Sequence, residues 1–138
     1  MRSVFIAAAA TSLLLCWSNA HPSLAQTQQY PHQLTKAELR DFYSNATIYA
    51  LGRIGPKTYR TFFSSDGHIH INSPDFDDVG TWRIDDNGLF CTKYNKMRNA
   101  QETCQSIWQT GPNAYESHLP NGQIYKTTER VAGNPEGL

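Results

Sequence analysis

Gly80-Thr81-Trp82-Arg83-Ile84-Asp85-Asp86-Asn87-Gly88-Leu89-Phe90-Cys91-Thr92-Lys93-Tyr94 is the stretch whose reading decides the fold. Trp82 and Ile84 point one way and Thr81 and Arg83 the other, the period-2 pattern of a strand with one buried face. Asn87-Gly88 is a turn signal, because glycine takes the positive φ that a tight hairpin needs. Leu89 to Tyr94 is a second strand-like run. If Ile84 faces Leu89 across the turn, Trp82 faces Cys91, and a next hairpin centred near Met97 and Arg98 puts Cys91 opposite Cys104. A non-hydrogen-bonded antiparallel pair holds its Cα atoms about 4.5 Å apart, within disulfide range. The expectation is a Cys91–Cys104 cross-strand bond with Trp82 packed beside it.

The same pattern repeats in both directions. Strand-like runs cover Thr47 to Leu51, Thr58 to Phe63, His68 to Asn72, Tyr115 to Leu119 and Ile124 to Val131, with Thr81 to Ile84, Leu89 to Tyr94 and Thr103 to Gln109 between them. Gly55-Pro56, Asp66-Gly67, Ser73-Pro74, Gly111-Pro112-Asn113 and Pro120-Asn121-Gly122 separate them as turns. Ile69 and Ile71 oppose His68 and His70, and Cys104, Ser106 and Trp108 oppose Gln105 and Ile107. The predicted fold is mainly β, an antiparallel meander of about eight short strands forming either a small barrel or a strongly curved half-barrel. One helix precedes it, over about 35–45: Thr35 and Glu38 form a capping box, and Leu39, Phe42 and Tyr43 recur at helical spacing.

Upstream, Arg2 is followed by an uncharged apolar run from Val4 to Trp17, the layout of a secretion signal. The run is shorter than the roughly 20 apolar residues of a membrane span, so no stable membrane anchor is expected. Cleavage is read after Ala25 in Ser23-Leu24-Ala25, with Ser18-Asn19-Ala20 as the other small-x-small site. Cys16 as an acylated residue is disfavoured, because Leu15 before it is not small. Residues 1–25 are thus a removed signal, 26–33 a flexible linker and 34–138 a single β-rich domain. Arg2 is the sole basic residue lost, so eleven remain against twelve acids and the mature charge is near −1. Nucleic acid is a poor partner for such a surface. A periplasmic or secreted location follows, and in an oxidising compartment the two remaining cysteines pair.

The ordered set Leu-Thr-x-Ala-Glu-Leu, Phe-x-Ser-Asp-Gly, Gly80-Thr81-Trp82-Arg83-Ile84, Leu89-x-Cys91, Cys104 and Gly133-Asn134-Pro135-x-Gly137-Leu138 resembles families of small exported proteobacterial proteins of unknown function with a lipocalin-like look. The resemblance implies a small barrel or half-barrel with a helix near its start, and it implies no catalytic residue.

Among chemical features, His68-x-His70 puts two imidazoles on one strand face, a pair able to bind a transition metal with His118, Asp75, Asp77 or Asp78 as a third ligand. Ordinary outward-facing polar residues are the plainer reading. Asp75, Asp77, Asp78, Asp85 and Asp86 lack the spacing of a calcium loop and read as turn residues. Asn45-Ala46-Thr47 has the form of a glycosylation acceptor, little used in bacterial proteins of the kind the chain resembles. No hydrolase, phosphate-loop or zinc-protease motif is present, and Glu116 with Glu129 is the sort of carboxylate pair any acid-rich chain offers. Neither catalysis nor a cofactor is expected. Tyr59, Phe63, Trp82, Trp108 and Tyr125 are the candidate lining of a ligand pocket, with Phe90, Tyr94 and Tyr115 assigned to the opposite face. The leading expectation is a non-catalytic exported protein that binds a small ligand or envelope component. The alternatives are a protein-interaction module, such as an inhibitor or accessory subunit of another exported protein, and metal binding through His68 and His70.

Overall fold

A computed structural model describes residues 29–51 and 58–138. The secretion signal, residues 26–28 of the linker and the Gly55-Pro56 turn lie outside those residues. Eight strands form a closed antiparallel meander: β2 (Ala46–Leu51), β3 (Thr58–Phe63), β4 (His68–Ser73), β5 (Phe76–Ile84), β6 (Phe90–Tyr94), β7 (Thr103–Gly111), β8 (Ala114–His118) and β9 (Ile124–Ala132). β9 pairs back onto β2 and closes the barrel. A two-residue strand, β1 (His32–Gln33), comes from the segment read as linker and pairs with Trp108 and Gln109 of β7. β6 uses only the first part of that same β7 edge, Thr103 to Gln105. β1 therefore satisfies edge groups that a short β6 leaves open.

Helix α1 (Lys36–Tyr43) starts at the predicted capping box: the Thr35 hydroxyl accepts from Glu38 N–H at 3.3 Å, and Glu38 Oε2 accepts from Thr35 N–H at 2.7 Å. Its apolar stripe of Leu39, Phe42 and Tyr43 is buried and seals one end of the barrel. Tyr43 stacks on Phe90 with ring centroids 3.8 Å apart and meets Phe63 edge-on at 4.8 Å. Trp82 completes that cluster and donates its indole N–H to Ser64 O at 2.9 Å. The helix C-terminus leaves carbonyls without intrahelical partners, and Arg130 supplies them: Nε donates to Phe42 O at 2.7 Å and NH2 to Asp41 O at 2.9 Å. Arg130 reaches the helix because the β2–β9 register shifts between Tyr49 and Ala50, pairing Tyr49 with Glu129 but Ala50 with Thr127. That bulge reverses the alternation of β9.

Cys91 and Cys104 are direct cross-strand partners joined by a disulfide, with Cα atoms 4.0 Å apart. The hairpin before them differs from expectation by one residue: Ile84 pairs with Phe90, Arg83 with Cys91 and Trp82 with Thr92. Leu89 belongs to the turn, where its N–H and carbonyl are both bonded to Asp85. Because strand side chains alternate, that single step places Trp82 inside and the disulfide on the outer face beside Arg83.

Gly80 shows why the Gly-Thr-Trp sequence begins with glycine. A Cβ there would lie 2.0 Å from Lys93 O and 2.8 Å from Tyr94 Cα, both backbone atoms of β6. Gly80→Ala is expected to lose about 2–3 kcal/mol in denaturant unfolding as β5 is forced from β6; an unchanged midpoint would show that the ladder yields more easily.

The outer face is mixed, with His68, His70 and Asn72 on β4, Arg83 on β5, Lys93 on β6 and Glu116 on β8 beside the apolar Phe62, Val79, Trp108 and Ile124. No helix among the described residues is long and apolar enough to cross a membrane.

Candidate functional site

Among the described residues, the end of the barrel opposite α1 is open. A cavity of about 230 Å³ enters there, walled by Tyr59 and Thr61 of β3, Ile71 of β4, Tyr94 of β6, Gln105 of β7, Ser117 of β8 and Tyr125 of β9. A deeper space of about 100 Å³ shares Tyr94, Gln105, Ser117 and Tyr125 with it and runs on toward Phe63, Phe90 and Tyr43. The walls are aromatic, the rim and floor carry hydroxyls and one amide. Burial pushes the Tyr94 hydroxyl up to about 12, so it stays a neutral hydrogen-bonding group at any ordinary pH.

One charge enters from above. The β6–β7 connection makes a single turn, Met97–Ala100, in which Arg98, Asn99 and Ala100 have φ of 53°, 55° and 57°. Three successive non-glycine residues in the left-handed region cost roughly 1–2 kcal/mol each. The turn is held from below by Asp78, whose residue is 2 % exposed and whose carboxylate accepts from the N–H of Lys96 and Met97, each at 2.9 Å, and of Val79. Desolvation would raise the Asp78 carboxyl, but those three donors outweigh it and hold it below its ordinary value. The turn carries the Arg98 guanidinium into the mouth, where NH1 donates to Thr92 Oγ1 at 3.2 Å and the group lies 5.9 Å from the centre of the Tyr94 ring.

Of the five aromatic residues predicted to line a pocket, Tyr59 and Tyr125 line this cavity and Phe63 borders its deeper part. Trp82 is in the core beneath the helix. Trp108 is on the outer face, stacked on His118 at 5.8 Å, because β7 turns Gln105, Ile107 and Gln109 inward. Phe90, Tyr94 and Tyr115, assigned to the opposite face, instead point in: Phe90 and Tyr94 are buried core residues and Tyr115 packs on Phe42.

His68 and His70 project outward from β4, as expected from Ile69 and Ile71 facing the core. Each imidazole meets its own carboxylate, His68 with Asp66 at 3.1 Å and His70 with Asp77 at 2.9 Å. Asn72 and His70, both bonded to Asp77, hold its carboxyl below the usual range. His118 sits on β8, bonded to Glu116 at 3.1 Å. Asp77 and Asp78 are strand residues and not, as read from the sequence, part of a turn. Among the described residues, the group of three ligand-type atoms gathered within 4.8 Å is Asp85 with Cys91 and Cys104, and those sulfurs are already bonded to each other.

No known protein family, characterised protein or solved structure matches the chain.

Proposed function

We propose that the protein is an exported, non-catalytic binding protein that takes a small ligand into the open mouth of its barrel. The observation that carries this reading is the cavity itself: one end is plugged by α1, and the other keeps about 230 Å³ open beneath a turn that stores backbone strain. Binding sites of small molecules are concave, mostly apolar and equipped with a few placed polar groups, and strain of this kind collects at such sites. The apolar leader of residues 4–17 and the Cys91–Cys104 bond support an oxidising location outside the cytoplasm.

A fragment screen on the ¹⁵N-labelled oxidised protein tests it. Saturable shifts are expected at Tyr59, Thr61, Ser117 and Tyr125, and Ala50→Leu, which fills the mouth, should abolish them. Saturable shifts confined to the outer face would overturn the reading. One observation favours the alternative of an interaction module: Trp108 stacked on His118 beside Ile124, which is 53 % exposed. Under that alternative, Trp108→Ala removes the binding and Ala50→Leu leaves it intact.

A further inference from the structure

Resting on that reading, the geometry points to a ligand class for the mouth: a small organic carboxylate with one ring or a short apolar chain, whose charge is met by Arg98. Among the described residues, Arg98 is the single charged residue lining the outer cavity, and no acid lines either space. Lys126 borders the deeper space, but its side chain is 77 % exposed and its ammonium lies 3.8 Å from Glu116 on the outer face. The charged side chain lining the mouth among the described residues is thus one guanidinium, while the buried Asp78 carboxylate, bonded to the turn's N–H groups, also acts on Tyr94.

Arg98 is an exposed residue, so water reaches its guanidinium, which has no paired charge among the described residues. Its partners are a neutral hydroxyl and a tyrosine ring, and among the described residues no carboxylate lies within 4 Å of it. A guanidinium offers five donors in a planar fork, matched to the two oxygens of a carboxylate. From a turn with three left-handed residues, Arg98 lines the mouth, bonded to Thr92 and set over the Tyr94 ring. Tyr59 and Tyr125 form the aromatic walls beneath it, and Thr61, Gln105 and Ser117 add hydrogen-bonding groups. The size fits the same class: benzene fills an apolar cavity of about 150 Å³, so about 230 Å³ takes one ring with a carboxylate arm.

The test compares 4-hydroxyphenylacetate with its uncharged amide by calorimetry and ¹⁵N NMR at pH 7. The acid is expected to bind saturably, with shifts at Tyr94, Arg98 and Ser117, to weaken as salt is added, and to exceed the amide by about tenfold or more. Arg98→Gln should bring the acid down to the affinity of the amide and leave the amide unchanged. Arg98→Gly suits the left-handed backbone and keeps the fold, so it should lose the same discrimination. Equal affinity of acid and amide, or an acid affinity unaltered in both variants, would overturn the charge assignment while the mouth remained a neutral pocket. Failure of both compounds to bind overturns the ligand class; the fragment screen then decides separately whether the mouth binds anything.

Discussion

Asp78→Ala is expected to cost about 3–5 kcal/mol, as much as emptying a core aromatic position. The reason is the number of groups orphaned at once. Asp78 satisfies three backbone N–H donors, on Val79, Lys96 and Met97, and each buried donor left without a partner costs about 1–3 kcal/mol. Access of water to the exposed Lys96 main chain moderates the sum. Asp78→Asn retains one acceptor oxygen and should lose about half as much. The pH dependence has a definite sign. The folded carboxyl lies below its ordinary value, since three N–H donors outweigh desolvation. Its contribution is therefore complete above the unfolded value near about 4 and disappears as the pH falls through the lower folded value. Urea unfolding between pH 7 and pH 2 should show this acid limb in the native sequence and a flatter one in Asp78→Asn. An Asp78→Ala protein as stable as the native one would mean that the left-handed turn supports itself. The same variant should weaken carboxylate binding, because Asp78 never touches the cavity but fixes the turn that presents Arg98.

How much was legible in advance depends on whether polarity tracked the fold. The meander was readable because Ile69/Ile71 and Trp82/Ile84 mark an inner face at period two and Gly, Asn and Pro mark the turns. The capped helix was readable because Thr35 and Glu38 act locally. Where an inward position is not apolar the pattern is silent. Asp78 and Gly80 both face inward on β5, one to bond a loop and the other to admit β6, so the strand's first half read as an acidic turn. The bulge that turns Arg130 onto the helix breaks alternation without a glycine to announce it. Trp108 shows the converse, an aromatic residue on an outer face that hydrophobicity alone assigns to the interior. Arg98 was legible only as a turn residue: nothing local announces a non-glycine residue in the left-handed region, and the Asp78 that bonds the segment before it is distant in sequence. Of the candidate aromatics, Tyr59, Tyr125 and Phe63 border the cavity while Trp82 and Trp108 do not, and Arg98 was not among the candidates.

Reducing the Cys91–Cys104 bond, or replacing both residues with alanine, is expected to cost about 3 kcal/mol, given a chain separation of 13 residues. Its position argues for an effect beyond chain entropy. β6 and β7 share only the pairs Phe90–Gln105, Cys91–Cys104 and Thr92–Thr103, whereas β4 and β5 share six. The disulfide is the middle pair of the shortest ladder in the barrel wall, on the outer face, while the strained turn pulls the ends of both strands into the connection above it. Opening it should therefore loosen one seam first. Amide exchange in β6 and β7 should accelerate more than in β3 and β4, and the unfolding midpoint should fall alike in the reduced and double-alanine proteins. Tyr94 and Gln105 wall the cavity from the two sides of that seam, so affinity for a mouth ligand should fall along with stability. Uniform acceleration across all strands would assign the bond a purely global role, and an unchanged midpoint would show that β1, on the remaining β7 edge, is enough to keep the barrel closed.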